Sequence, residues 1–217
     1  ALVYAEDMFQ DSGLSAAALH RARSPWRGMR TEVIGGQLLD ISLEAAGSES
    51  VELANSVNRY KTAAYTIERP LHLGAAIAGA SEELIAAFRG YGHDIGIAYQ
   101  LRDDQLGVFG DPEVTGKPTG DDLREGKRTV LFATALELLD EHDPSAAQEL
   151  RDGIGQVSDP AGLARLAQLI RDSGAEDAVE ARINELTASG LRHLDGVDDD
   201  AAQALTALAR KATDRRM

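Results

Sequence analysis

Apolar residues recur at spacings of three and four along almost the whole chain, and this periodicity restricts the fold more than any other feature. Ala, Leu and Glu are abundant, whereas the alternating β-branched runs that are typical of strands are nearly absent. The spacing therefore predicts an all-α protein. At 217 residues the chain can bury a sizeable core, and no linker-like segment divides it, so we predict a single domain over residues 1–217.

Capping residues and helix breakers predict the helix boundaries. In the first half we expect helices over residues 1–10, 15–23, 26–46, 50–67, 71–78 and 81–109, with a break near Pro70 and an end at Gly47. In the second half we expect helices over residues 129–141, 145–153, 159–172, 175–194 and 200–214. Residues 110–127 hold four glycines and two prolines, which predicts a long loop with one turn of helix, and long loops are usually functional.

The charge balance limits the partners of the protein. The chain has 36 Asp and Glu against 22 Lys and Arg, a formal net charge of −14, which excludes binding to nucleic acid and to anionic membrane surfaces. Metal ions can still bridge an acidic protein to a phosphorylated small molecule. The chain has no cysteine, and we find no signal peptide and no membrane-spanning run, so we expect a cytoplasmic protein.

Polar side chains concentrate near the end of the helix predicted over residues 81–109. A helix advances about 100° per residue, which places Asp103 and Asp104 on the same face as Gln100. Two adjacent carboxylates repel each other, so both stay charged only beside water or a cation. Oxygen ligands of this kind suit Mg²⁺. The spacing alone leaves two interpretations open, a magnesium site and a solvated acidic helix end.

The loop that follows supplies basic side chains. Lys117, Lys127 and Arg128 lie among glycines directly after the acidic pair. Cations and metal ions around a diphosphate would stabilise it as a leaving group. The stretch from Gly110 to Lys117 looks like a phosphate-binding P-loop, but it is one residue too long and lacks Ser or Thr after Lys117.

Two other polar patterns occur on helices that are otherwise apolar. Lys61 and Tyr65 are four residues apart and share a face, with Thr62 beside them. Gln37 and Asp40 are three residues apart. The alternatives are a surface lysine for the first pattern and structural hydrogen bonds for the second.

A resemblance to a known family rests on four segments, which are GQLLD, YKTAAY, GIAYQLRDDQLGVFGD and GKPTGDDLREGKRT in that order. They resemble the trans-isoprenyl diphosphate synthases of the polyprenyl synthetase family, and within it the actinobacterial geranylgeranyl type. The last segment separates chain-elongating synthases from terpene cyclases. The resemblance implies an isoprenoid synthase-type helical bundle around a central cavity, usually as a homodimer. It also implies a Mg²⁺-dependent condensation of isopentenyl diphosphate with an allylic diphosphate, with release of pyrophosphate.

The same resemblance implies roles for the charged residues by position. Asp103 and Asp104 would open the second of the family's two Asp-rich motifs and bind Mg²⁺, with Asp103 as the more direct ligand. Lys61, Lys117 and Lys127 would contact the allylic diphosphate.

It also implies roles for the neutral polar groups. The oxygens of Thr62 and Gln100 would face the developing allylic cation. Gln37 and Asp40 would line the same cavity as supporting polar groups.

The sequence departs from the family pattern at two places. Gly107 stands where the second motif usually has a third acid, and no DDxxD or DDxxxxD precedes that motif. Because the chain begins at Ala1 in a helix-like stretch, we expect that N-terminal helices with the first motif are missing. An active prenyltransferase remains the first hypothesis, a catalytically silent regulatory or partner subunit the second, and a terpene cyclase the third.

Overall fold

The computed structural model describes residues 2–116 and 118–214, and within them it contains helices and turns but no strand, which confirms the all-α prediction. In chain order the elements are α1 (Leu2–Gln10), α2 (Ala16–Ala46), α3 (Val51–Val57), a π-helical segment (Asn58–Glu68), α4 (Arg69–Ala78), α5 (Glu82–Phe109), α6 (Pro112–Thr115), α7 (Asp121–Glu125), α8 (Val130–His142), α9 (Pro144–Gly153), α10 (Pro160–Asp172), α11 (Ala175–Arg192) and α12 (Asp199–Thr213). None of the helices in these ranges is long and apolar enough to cross a membrane.

Helix α2 is one continuous helix, so the predicted boundary at Pro25 is wrong. Ser15 caps its first turn, since the Ser15 hydroxyl accepts from the Ala18 backbone at 3.2 Å. Gly47 ends it in the left-handed conformation at φ 62°, as expected. Pro25 removes one internal hydrogen bond, but its ring is buried, and α2 packs along the π segment and α4. This tertiary packing outweighs the local break.

The predicted break near Pro70 is also wrong, because α3, the π segment and α4 follow one another without interruption. The Arg69 backbone donates to the Ala64 carbonyl five residues earlier, which is the bonding of a π-helix. Pro70 lies in the first turn of α4, directly after this π-helical turn. The π segment contains Lys61 and Thr62, so these two residues lie where the backbone hydrogen bonding departs from that of a regular α-helix.

Three glycines allow the π segment to lie between α2 and α5. A Cβ at Gly36 would lie 2.4 Å from the Lys61 nitrogen, and a Cβ at Gly92 or Gly96 would lie 2.5 or 2.6 Å from the backbone of the same segment. Real Cβ atoms do not approach other atoms so closely. The backbone of the π segment, which includes Lys61 and Thr62, is therefore packed closely against α2 on one side and α5 on the other.

The main apolar core lies beside this layer and involves α5 and the helices from α8 to α11. Its largest fully buried side chains include Leu101, Leu131, Phe132, Leu136, Leu150, Ile170 and Ile183. A smaller cluster around Tyr91 and Leu194 joins α5 to the C-terminal helices. These helices form a scaffold that fixes α5 in place.

The segment predicted as a loop with one turn of helix contains two short helices, α6 and α7. Asp111 caps α6 by accepting from the Glu113 backbone at 2.9 Å. In α7, Leu123 is 1% exposed and belongs to the main core. The Leu123 carbonyl also accepts from the Gly155 backbone at 2.8 Å. The second half of this segment is therefore fixed to the scaffold.

Candidate active site

A polar cavity of about 250 Å³ lies between α2, the π segment, α5 and the residues after α7. Its lining includes seven of the residues that the sequence predicts for the site: Asp40, Lys61, Thr62, Gln100, Asp103, Asp104 and Lys127. Four chain segments that are distant in sequence thus meet at one place.

The other two predicted residues are Gln37 and Lys117. Gln37 lies on α2 but is exposed, and it is not among the lining residues. Lys117 lies outside the described residues.

The cavity also has polar lining residues to which the sequence assigned no role in the site, and they are Glu44, Asn58 and Thr129. Arg128, which the sequence places among the basic side chains of the loop, lines the cavity as well. Glu44 follows Asp40 by four residues on α2, so helical spacing could have identified it. No local sequence pattern identifies Asn58 as a lining residue, because its position at the cavity depends on the π segment.

Asp104 is the most buried acid of the site, at 4% exposure. Its Oδ1 accepts from Gln100 Nε2 at 2.8 Å, while Oδ2 is buried without a hydrogen-bond partner and the Asn58 amide lies beside it without a well-formed bond. Burial raises the pKa of Asp104 to about 8, against the Gln100 hydrogen bond, and the charges of Asp122 and Asp103 add to the rise. A bound cation would relieve both the desolvation and the repulsion.

Asp103 is less buried than its neighbour. Its side chain is of intermediate exposure and lines the cavity. The two adjacent carboxylates therefore differ in environment, with one open to the cavity and the other enclosed by α5 and the π segment.

Lys61 forms an ion pair with Asp40 across the contact between the π segment and α2. The two side chains are 37% and 29% exposed, so the ammonium group lies at the cavity and still reaches solvent. Lys61 is therefore not an isolated surface lysine.

Lys127 is held by two carboxylates of α7. Its Nζ lies 2.5 Å from Asp122 Oδ1 and 3.0 Å from Glu125 Oε2. Burial acts to lower the pKa of Lys127, but these two carboxylates overcome that effect and raise it. Lys127 is thus a cation at any physiological pH.

Arg102 precedes the acidic pair but points into the scaffold. It is 7% exposed, and its guanidinium donates to the Thr213 carbonyl at 2.8 Å, to Gln105 Oε1 at 2.6 Å and to Glu180 Oε1 at 2.8 Å. These bonds join the acidic end of α5 to α11 and to the end of α12. The sequence carries no signal for this role, because the Thr213 and Glu180 partners are distant in sequence and only Gln105 is on the same helix.

Comparisons with known proteins show the family of the chain. The family model described as polyprenyl synthetase matches residues 21–171. The chain belongs to the polyprenyl synthetase family. Its resemblance to trans-isoprenyl diphosphate synthases is thereby confirmed at the level of the family.

Individual members of the polyprenyl synthetase family extend the comparison. A geranylfarnesyl diphosphate synthase of Aeropyrum pernix is 35% identical over 201 residues, which cover 90% of this chain and 60% of that protein. A crystal structure of geranylgeranyl pyrophosphate synthase from Corynebacterium glutamicum, complexed with isoprenyl diphosphate and magnesium, is 65% identical. Its TM-score is 0.96, and the match covers 99% of this chain and 61% of that one. The chain thus spans about 60% of the length of these relatives.

The donor set of this polyprenyl synthetase chain suits a shared metal ion. Among residues 2–116 and 118–214, no group of three or more His, Cys, Asp or Glu could hold a metal by itself. Mg²⁺ usually takes one or two carboxylates and completes its octahedron with phosphate oxygens and water. Asp103, with the unpartnered oxygen of Asp104 beside it, fits a Mg²⁺ ion that protein and ligand hold together.

Proposed function

We propose that this chain carries the diphosphate-binding part of a Mg²⁺-dependent prenyltransferase active site. The reaction condenses isopentenyl diphosphate with an allylic diphosphate and releases pyrophosphate. The observation that carries the proposal is the meeting of Lys61, Lys127 and Arg128 with Asp103 and Asp104 in one cavity. The similarity to geranylgeranyl and farnesyl diphosphate synthases supports the same reaction class.

The charges of the cavity support the use of a metal. Its lining includes the acids Asp40, Glu44, Asp103 and Asp104 against the bases Lys61, Lys127 and Arg128. A diphosphate would therefore meet a lining that does not attract it strongly until divalent cations are added. Bound Mg²⁺ would neutralise the diphosphate oxygens and stabilise pyrophosphate as the leaving group. Asp103, which is open to the cavity, would be the first ligand, with Asp104 behind it.

The basic side chains would bind the diphosphate directly. Lys61 and Lys127 reach the cavity from different elements, and each is held in place by a carboxylate, Asp40 for the first and Asp122 for the second. A cation that is already oriented loses little freedom on binding. Its interaction with the diphosphate strengthens as the allylic C–O bond breaks, since negative charge then accumulates on the leaving group.

The neutral oxygens of the site would stabilise the opposite charge. The Gln100 amide nitrogen is bound to Asp104, so its carbonyl oxygen is the end that remains for other partners. Thr62 lies on the π segment and lines the same cavity. These dipoles would face the positive charge that develops on the allylic carbons without donating a nucleophile that could trap it.

We also propose that the protein acts as a homodimer in the cytoplasm. Both are expectations from the family and the sequence, and an exposed apolar surface supports the first. On α1 and α2, large apolar side chains stay more than half exposed: Val3, Tyr4, Met8, Ile34, Leu38 and Ile41. Such a surface is unusual on a monomer and suits a second copy of the chain. Sedimentation at several concentrations, with Leu38→Glu as the variant, tests it.

A binding measurement tests the site, and a transfer assay then separates the three hypotheses. Calorimetry should show pyrophosphate binding to the chain only with Mg²⁺; equal binding in EDTA would refute the metal site. Incorporation of labelled isopentenyl diphosphate into an allylic primer would establish the prenyltransferase. Binding without transfer would favour a partner subunit. Release of pyrophosphate from the allylic diphosphate alone would favour a cyclase.

A further inference from the structure

Position 107 on α5 has no side chain, and the space beside it is filled from another element. Gly107 follows Asp103 by four residues and so lies on the same helical face. A Cβ at Gly107 would lie 2.1 Å from Asp122 Oδ2 and 2.4 Å from Asp122 Cγ. The Asp122 carboxylate therefore occupies the volume that a side chain at position 107 would need.

The position of Asp122 is set by the scaffold. It lies in the first turn of α7 and is 8% exposed. The next residue, Leu123, is buried in the main core and bonds through its carbonyl to the Gly155 backbone. The Asp122 backbone therefore cannot withdraw from α5 unless α7 leaves the core with it, and its carboxylate can leave Gly107 only by a rotamer change that disturbs the ion pair with Lys127.

Asp122 also holds Lys127 at two points. Its Oδ1 accepts from Lys127 Nζ at 2.5 Å, and its carbonyl accepts from the Lys127 backbone at 3.0 Å across the turn at Gly126. The chain from Asp122 to Lys127 thus closes on itself, and the ammonium group is fixed relative to the carboxylate that lies against α5.

On the basis of the function above, we propose that Asp122 is a positioning residue that takes the place of an acid at position 107. Its carboxylate packs against Gly107 on the helix of the metal ligands and holds Lys127 toward the diphosphate. Gly107 and Asp122 then act as a pair, because the Asp122 carboxylate can occupy this space only if residue 107 has no side chain. The acid that α5 lacks is supplied by α7.

A stability comparison tests the pairing without any ligand. Gly→Ala inside a helix is favourable when space is available. Gly107→Ala should instead lower the Tm of the wild-type chain by about 5 °C, because the new methyl group meets the Asp122 carboxylate. In an Asp122→Ala background the same change should leave the Tm unchanged or raise it. An equal effect in both backgrounds would overturn the pairing.

A binding comparison tests the positioning role, with pyrophosphate and Mg²⁺ as the probe. Asp122→Ala and Gly107→Ala should each weaken binding about tenfold, because Lys127 loses the nearer of its two carboxylate partners or moves with it. The double change Gly107→Asp with Asp122→Ala restores one carboxylate to this space and should return the Kd to within about threefold of wild type. Gly107→Ala with Asp122→Ala relieves the clash without a carboxylate and should stay weak.

The outcomes separate this inference from the proposed function. Wild-type affinity in Asp122→Ala would overturn the positioning role, as would equal binding by the two double variants. Asp122→Asn controls for shape, because it keeps the size of the side chain and removes its charge; it should weaken binding as Asp122→Ala does. If the wild-type chain fails to bind pyrophosphate with Mg²⁺, the proposed function fails, and the Tm comparison still decides whether Asp122 occupies the space at Gly107.

Discussion

Gly36 on α2 lies against the backbone of Lys61, and a single methyl group there should disturb both the fold and the site. A Cβ at Gly36 would lie 2.4 Å from the Lys61 nitrogen and 2.7 Å from its Cα. Ordinary van der Waals contact begins at 3.4 Å, so Gly36→Ala must separate α2 from the π segment by about 1 Å. The atoms in the way are backbone, which no rotamer change can move.

The expected loss of stability follows from that displacement. Overpacking a tight contact costs about 1–3 kcal/mol, and a backbone clash at a buried helix crossing belongs at the upper end. For a chain of this size, about 3 kcal/mol lowers the Tm by roughly 6–12 °C. The same separation lengthens the Lys61–Asp40 ion pair, so Mg²⁺-dependent pyrophosphate binding should weaken as well.

The neighbouring glycine provides a matched control. Gly35 is on the same helix, is exposed, and has no atom within 4 Å of a Cβ at its position. Gly35→Ala should therefore raise stability by about 0.5–1 kcal/mol, because alanine is the better helix former. Thermal unfolding followed by circular dichroism compares the two variants. If Gly36→Ala unfolds at or above the wild-type Tm, as Gly35→Ala should, the close crossing of α2 and the π segment is wrong.

Three further changes test the site and its support. Asp103→Asn should abolish Mg²⁺-dependent pyrophosphate binding with little change in Tm, because its side chain is only half-buried. Lys61→Met should weaken the same binding more than it weakens folding, as isothermal calorimetry and urea unfolding would show together. Arg102→Ala should lower the free energy of unfolding by about 3 kcal/mol in urea, since Gln105 and the Thr213 carbonyl lose a buried donor, whereas Arg182→Ala removes only an exposed pair and should change nothing.

A specific result would contradict each of these three predictions. Full Mg²⁺-dependent binding in Asp103→Asn would assign the metal elsewhere. Equal losses of folding and binding in Lys61→Met would mean that the lysine serves the structure alone. If Arg102→Ala and Arg182→Ala have the same free energy of unfolding, the hydrogen bonds between α5 and α12 do not contribute to stability.

The sequence by itself determined the all-α class and most helix boundaries, because hydrophobic period and capping are local properties. Ser15, Gly47 and Ser81 act at the helix ends where their side-chain and backbone chemistry places them. The order and spacing of their segments also predicted Lys61, Gln100, Asp103 and Lys127 as site residues, and in the structure these four line one cavity.

Only the tertiary structure decided that the helices continue through Pro25 and Pro70, and which polar groups come together in the cavity. Proline breaks an isolated helix. Here α2 continues through Pro25 because it packs along its length against its neighbours, and the helix continues through Pro70 because π-type hydrogen bonds precede it. The place of Asp122 beside Gly107 joins positions in two different elements, and no local pattern encodes it. Local chemistry sets what each segment can form, whereas long-range packing determines which side chains share one cavity.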